Sequence, residues 1–325
     1  MPLNDDLRNN PLTFLKTWAI CPRSDVEGYV GKTLGHTDVG ATATTPGSVL
    51  ASSRRSEDIR LARIERAKKV AYINVSRVDF GGVSVTGNEG GDRIAFEGSY
   101  TPNANWVPVY WLPWQTVGAA IRITIPQRVG AAPGPDIFFT AAINGCSVFF
   151  QGSAQQPTIY HAGGATEVGS NQNTAAQFWQ EVLADFVQKD QARGKNKGVV
   201  SASQIDKRQY IKTPGVGPPN LGAGEGTSTM RAMAYRKWLE DTTKDVLRIE
   251  DVSPWACVMG IRTGDDWEFY IQENATVIYH QLKKEKKGMA RATETRYVAR
   301  PMTIYKVFPG GTCIHRVNSP VPRIA

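Results

Sequence analysis

Short apolar runs of strand composition, separated by clusters of glycine and proline, recur along the first half of the chain. The clearest is VAYINVSRV at 70–78, and shorter runs follow at 83–85, 93–96 and 120–125. Runs of about four to eight residues rich in branched and aromatic side chains, bounded by turn residues, are typical of β-strands. This part of the sequence therefore predicts an antiparallel sheet.

The same pattern returns after Pro254. Strands are predicted at 255–262, 267–272, 276–281 and 296–307. Gly264 and Asp265 lie between the first two of these strands and predict a tight turn. With the helices described next, the pattern predicts an α+β fold with a central, mostly antiparallel β-sandwich-like sheet flanked by helices.

Two segments between the strand regions have helical spacing. The first carries an apolar stripe, with Asn173 or Thr174 as its N-cap; its members are Phe178, Trp179, Val182, Leu183, Phe186 and Val187. The second follows Thr227 and Ser228 and carries a similar stripe over 230–239. Both stripes are predicted to face the core.

Two other segments have loop composition. Residues 1–57 mix polar and small side chains and predict a mobile N-terminal arm, so that the folded domain covers 58–325. Within that domain, 193–226 is rich in Gly, Pro and Lys and too long for an ordinary connection, which predicts a flexible loop. Its glycines lack the Gly-Lys-Ser/Thr of a phosphate-binding loop, so no such loop is predicted.

The formal net charge of +8 does not by itself indicate nucleic acid. Basic residues are spread along the chain apart from short clusters at 193–197 and 283–287, so no nucleic-acid partner is expected, and solubility or steering toward an acidic protein explains the charge. No run approaches the roughly 18 to 20 apolar residues of a membrane helix, so stable membrane insertion is not expected. The first residues also lack the pattern of a classical secretory signal.

The four cysteines are widely spaced and form no CxxC pair, which predicts free thiols; they are Cys21, Cys146, Cys257 and Cys313. Cys313 and His315 alternate on a predicted strand, and a metal site with His280 or Cys257 is conceivable. Nothing in the spacing brings these residues together. No metal and no cofactor are therefore predicted.

The candidate chemistry lies in IFFTAAINGCSVFF, residues 137–150. Asn144 and Gly145 between two apolar runs are a strong hairpin signal, which predicts that Cys146 begins the returning strand. At such a reversal Gly145 permits close approach, and the N–H groups of Cys146 and Ser147 are suited to hold an oxyanion. A small buried cysteine beside a turn is also common in protein cores, so a structural role stays open.

His161 ends the next predicted strand and meets Gly163 and Gly164. Neighbouring strands would bring its imidazole beside the Cys146 thiol. Thr140 precedes Cys146 by six residues in the predicted facing strand, where its hydroxyl would hold the second imidazole nitrogen. The spacing thus indicates a thiol nucleophile with an imidazole base.

These residues resemble the bacterial protein-glutamine deamidases, such as the cytotoxic necrotizing factors, Burkholderia lethal factor and the chemoreceptor deamidase. The resemblance covers residues 136–163. It implies that Cys146 is the nucleophile, His161 the base and Thr140 the third member, within a catalytic domain at 58–325. The oxyanion support implied is Asn144, Gly145 and Ser147, with Asn144 standing where toxin members have the serine of a Leu-Ser-Gly-Cys signature.

The resemblance also implies a function. Deamidases of this kind are bacterial toxins or effectors that are secreted or injected without a classical signal and act in the host cytoplasm. The thiolate would attack the carboxamide of a glutamine in a host protein, release ammonia and leave a thioester for hydrolysis, without a cofactor. The implied substrates are a Rho-type small GTPase or a translation initiation helicase.

Two alternatives use the same residues differently. A papain-like cysteine protease or acyltransferase would employ Cys146 and His161, but such families usually place a helix directly after the nucleophile, whereas 147–150 has strand composition. A non-enzymatic interaction protein would leave Cys146 buried and inert.

Overall fold

The computed structural model of the protein describes twelve stretches of the chain: 3–22, 63–66, 70–77, 93–113, 119–130, 134–143, 147–162, 183, 203–205, 236–282, 293–309 and 312–316. The helices in these stretches are α1 (Leu3–Asn9), α2 (Pro11–Thr17) and α3 (236–242), and residue 183 is also helical. The strands are β1 (Ala19–Ile20), β2 (Arg63–Arg66), β3 (Val70–Arg77), β4 (Arg93–Ser99), β5 (Val107–Leu112), β6 (Ala119–Thr124), β7 (Ile137–Thr140), β8 (Ser147–Gly152), β9 (Pro157–Ala162), β10 (Ser203–Ile205), β11 (Val246–Thr263), β12 (Asp266–Leu282), β13 (Thr293–Phe308) and β14 (Thr312–Arg316).

The strands form two sheets. The large sheet has nine strands in the order β1-β4-β3-β5-β7-β11-β12-β13-β14, and the small sheet has five in the order β10-β8-β9-β6-β2. Neighbours are antiparallel except for the parallel pairs β1–β4, β5–β7 and β2–β6. The predicted α+β class with a mostly antiparallel sheet is confirmed, although the helical contribution is modest.

The two sheets pack face to face through one apolar cluster, called here the inter-sheet core. In β6 the isoleucines at 121 and 123 occupy every second position and so point to the same face, as strand geometry requires. The cluster comprises Tyr110, Leu112, Ile121, Ile123, Ile125, Phe138, Ile143, Val148, Phe150, Ile159, Ala256, Val258, Trp267, Phe269, Ile271 and Phe308. Both sheets contribute, which makes this part of the molecule a β-sandwich.

The N-terminal helices cover the opposite face of the large sheet. Leu7, Phe14 and Leu15 are buried in a second cluster with side chains of β3, β5, β7, β11 and β12. Ile20 of β1 pairs with Ile94 of β4. The prediction of a mobile arm over 1–57 is therefore wrong for residues 3–22, because their apolar side chains fill a core; the rest of that range lies outside the described residues.

The C-terminal part of the large sheet is made of three long strands. β11 and β12 join through the tight turn that Gly264 and Asp265 predict, with Thr263 paired to Asp266 and Gly264 at a φ of +63°. Helix α3 packs through Leu239 on β11–β13, on the face of the large sheet that also carries the inter-sheet core. Helix α3 overlaps the predicted second helix at 236–239 and continues to residue 242. Of the first predicted helix only Leu183 is described, and it is helical and buried.

Two local predictions are wrong. The Asn-Gly sequence does not join two paired strands, because β7 lies between β5 and β11 in the large sheet while β8 lies between β10 and β9 in the small one. The chain thus crosses from one sheet to the other after residue 143. In addition, Ser203–Ile205, inside the loop predicted at 193–226, forms β10 and pairs with β8; the remainder of that loop lies outside the described residues.

Candidate functional site

His161 lies on β9 in the middle of the small sheet. It pairs with Val148 of β8 on one side and with Ile121 of β6 on the other. Both partners belong to the inter-sheet core, and so does Ile159, two residues earlier on the same strand. Because partners across a ladder and alternate residues along a strand share a face, the imidazole points into the sandwich.

The imidazole of His161 is almost completely removed from water, with an exposed fraction of 1%. Burial lowers the pKa of His161 to about 3, and an interaction with the backbone of Pro113 opposes this shift without cancelling it. Neither ring nitrogen makes a hydrogen bond of ordinary geometry within the described structure. His161 is therefore a neutral imidazole that occupies the place of an apolar core residue.

Thr140 faces the same core from the opposite sheet. It pairs with Leu112 of β5, a member of the inter-sheet core, and its own side chain is fully buried. Its hydroxyl oxygen accepts a hydrogen bond from the backbone N–H of Val258 at 3.2 Å. The expected hydrogen bond between Thr140 and the imidazole is absent from the described structure, in which neither ring nitrogen of His161 bonds to a side chain.

The structure brings one predicted pair of segments together. Ser147, the first residue of β8, pairs with Ala162, so the segment directly after Cys146 runs beside the segment that carries His161. Asn144, Gly145 and Cys146 lie outside the described residues, and for Ser147 only the backbone is described. Their catalytic and oxyanion roles stay predictions.

A buried imidazole with this pKa is a poor base for a thiol. A free thiol has a pKa of about 8.5, and moving its proton to an ordinary imidazole of about 6.5 is uphill by roughly 3 kcal/mol. For an imidazole with the pKa of His161, about 3, the same transfer is uphill by on the order of 7 kcal/mol. The surroundings of His161 thus disfavour the thiolate–imidazolium pair that thiol catalysis requires.

A polar cluster that was not predicted from the sequence lies at the C-terminal end of β11, next to the turn into β12. This Arg262 cluster consists of Tyr110, Arg128, Asp136, Arg262 and Trp267. The Arg262 guanidinium lies over the Trp267 ring, 4.7 Å from its centroid, and only 3% of the Arg262 side chain is exposed. The sequence did contain a signal: Arg262 continues the inward-facing positions of β11 and stands opposite a tryptophan across the turn.

The described stretches also bear on metal binding and on membrane insertion. No three His, Cys, Asp or Glu side chains lie together there in an arrangement able to hold a metal ion. Within the same stretches, no helix has the length and apolar character needed to cross a bilayer. Cys257 is a free thiol, as the spacing of the cysteines predicts, and both Cys257 and Cys21 are buried.

Comparison with known proteins gives no match that names a family. No protein-family profile matches the chain, and no curated protein is significantly similar to it in sequence. The likeness to glutamine deamidases accordingly rests on the residues between 136 and 163.

Proposed function

We propose that this protein acts by binding a partner protein through its β-sandwich rather than by thiol catalysis. The observation that carries the proposal is the environment of His161, which is buried between two sheets, where burial lowers its pKa to about 3 despite an interaction with the backbone of Pro113. A base for thiol chemistry needs access to solvent or substrate and a pKa near the working pH. His161 has neither property, so its role is structural and that of Cys146 need not be catalytic.

A binding surface is available on the long strands. At the end of the large sheet, on the side away from Tyr279 and α3, Nε2 of His280 lies 3.1 Å from Nη2 of Arg248 and 3.0 Å from Oε2 of Glu250. Thr295 contacts the other ring nitrogen. Exposed polar groups that are already held in place lose little entropy on binding, which favours recognition of a polar protein surface.

Glutamine deamidation is the second candidate. The register of β8 and β9 favours it, because Val148, two residues after Cys146, is paired with His161. Deamidation of a host protein, with a Rho-type small GTPase or a translation initiation helicase as substrate, would require His161 to become accessible. A papain-like protease or acyltransferase would need the same change and also a helix after Cys146, where β8 lies instead.

One experiment separates these candidates. Host-cell lysate is incubated with the wild-type protein, with Cys146→Ala and with buffer, and glutamine-containing peptides are compared by mass spectrometry. A binding protein leaves the three samples identical. A gain of about one mass unit on a specific glutamine, seen with the wild type and lost in Cys146→Ala, would overturn the proposal and establish a deamidase.

A second experiment tests the binding surface directly. A photo-crosslinking residue is placed at Thr295, next to the Arg248–His280–Glu250 network, and in a control at Thr101, which is exposed in the bend after β4. The expected result is one product specific to position 295 that excess wild-type protein competes away and excess Arg248→Ala does not. Equal competition by both proteins would exclude this surface.

A further inference from the structure

The Arg262 cluster has more hydrogen-bond donors than acceptors. Nη1 of Arg262 and Nε1 of Trp267 are buried and have no hydrogen-bond partner in the described part of the chain, and Nε of Arg262 reaches the Asp136 carboxylate only at 3.5 Å. Buried donors without an acceptor are rare in proteins, so their concentration here indicates that an acceptor occupies the site at some stage.

The positive charge of the cluster is only partly balanced. Asp136 places Oδ1 at 2.6 Å from Nη2 of Arg128 and at 3.5 Å from Nε of Arg262, so two guanidiniums share one carboxylate. Tyr110 and, more weakly, Asp265 in the turn after Arg262 also favour the charged form of Arg262. Burial and the neighbouring Arg128 both lower the pKa of Arg262, which is the direction expected when a cation lacks sufficient compensation.

The cluster is open to solvent on the side of Arg128 and Asp136. The Asp136 side chain is 57% exposed and that of Arg128 is 28% exposed, and the neighbouring Val129 is almost fully exposed. The exposed carboxylate is close to Arg128 and loosely held by Arg262. An oxyanion arriving from solvent therefore has an approach between the two arginines.

We propose that Arg262, Arg128 and Trp267 form a binding site for a phosphate group, with Asp136 as an internal carboxylate that occupies it in the free protein. A phosphate has more acceptor oxygens than a carboxylate and can carry two negative charges. It can therefore accept from more donors at once than a carboxylate can, and guanidinium forks bind phosphate in bidentate fashion. Displacement of Asp136 releases that carboxylate into water.

The site is tested by NMR titration of the full chain, following the backbone amides of Arg262 and Trp267. The probes are inorganic phosphate, O-phosphoserine, dimethyl phosphate and acetate, each against chloride at equal ionic strength. The expected result is saturable shifts with one or more of the phosphates and weaker shifts with acetate. The three phosphate probes distinguish a free anion, a phosphomonoester and a phosphodiester as the source.

Variants test the roles of the individual groups. Asp136→Asn removes the competing carboxylate and is expected to tighten phosphate binding several-fold, whereas Arg128→Gln is expected to weaken it by a similar factor. Arg236→Gln, which replaces an exposed arginine of α3 outside the cluster, is the control and is expected to leave phosphate binding unchanged. Shifts no larger than with chloride, equal binding of acetate, or weaker binding by Asp136→Asn would each overturn the proposal.

Discussion

Val148 and His161 are register partners on β8 and β9, and both side chains are buried in the core between the two sheets. An imidazole thus stands where its neighbours are valine and isoleucine. Both of its nitrogens have lost contact with water, and the interaction with the backbone of Pro113 does not fully compensate for that loss. The buried imidazole therefore destabilises the core that contains it. Either it has no function of its own, or its function requires a conformation that the free protein does not adopt.

Replacement of His161 by leucine is predicted to leave the protein folded and to raise its free energy of unfolding at neutral pH by about 1–2 kcal/mol. The reason is that the two buried ring nitrogens, whose loss of water the backbone of Pro113 does not fully compensate, disappear while the apolar volume is kept. Urea unfolding measures the change, and His280→Gln, which replaces a partly exposed histidine of β12, is the matched control. A loss of more than about 2 kcal/mol in His161→Leu would show that the imidazole has a stabilising partner.

The stability of the wild type is predicted to fall as the pH is lowered from 6.5 toward 3. The pKa of His161 is about 3 in the folded protein and about 6.5 when unfolded, so the unfolded chain binds more protons across this window. The full stabilising effect is present above pH 6.5 and is lost on acidification, with an upper bound on the order of 5 kcal/mol.

The contribution of His161 to this acid sensitivity is isolated by comparing two proteins. Urea unfolding is measured at pH 7 and at pH 5 for the wild type and for His161→Leu, since carboxylates such as Glu268 also lose stability in acid and affect both proteins equally. The difference between the two proteins should widen at pH 5. Parallel losses in both would contradict a depressed pKa at His161.

Gln272→Ala is predicted to destabilise the protein by about 3 kcal/mol or more and to release the N-terminal segment from the sheet. The Gln272 amide donates to the carbonyls of Leu15 and Trp18, and its oxygen accepts from the N–H of Ile20 at 3.0 Å. Hydrogen exchange at the Ile20 amide, followed by mass spectrometry, should accelerate more than that in β12. Gln127→Ala, which removes an exposed amide pair, is the control.

Gly260→Ala is predicted to destabilise the sandwich by about 1–3 kcal/mol. A Cβ at this position would lie 2.7 Å from Cε1 of Phe269 and 3.0 Å from Cβ of Phe138, both in the inter-sheet core. Thermal unfolding measures the loss. Gly134→Ala serves as the comparison, because its Cβ would meet only the Tyr110 hydroxyl, at 3.4 Å, and should be tolerated.

The strands were predictable where local signals agreed. The short strand-like run at 120–125, which overlaps β6, and the Gly264–Asp265 turn between β11 and β12 depend on neighbouring residues alone, and both appear where expected. The sheet assignment of β7 and β8 was not predictable. Asn144 and Gly145 give the same hairpin signal whether the flanking strands pair or pass to different sheets, and tertiary packing decides between the two outcomes.

The errors at the N terminus and at the candidate site have a related cause. Helices α1 and α2 are short, and their apolar residues are too few to give a clear periodic signal, so only the large sheet reveals where they pack. Spacing likewise placed His161 near the end of a strand but could not show which face it occupies relative to a second sheet. Burial of a single histidine depends on that second sheet.

The central claim is that His161 does not activate Cys146, and it is tested by the rate at which iodoacetamide alkylates Cys146. Peptide mapping follows this thiol in the native wild type and in His161→Leu between pH 6 and pH 8, with the buried Cys257 as an internal control for unfolding. The account predicts the same rate and the same pH profile in both proteins. A fast reaction near pH 6.5 in the wild type that slows tenfold or more, by order of magnitude, in His161→Leu would contradict it and restore the thiol–imidazole pair.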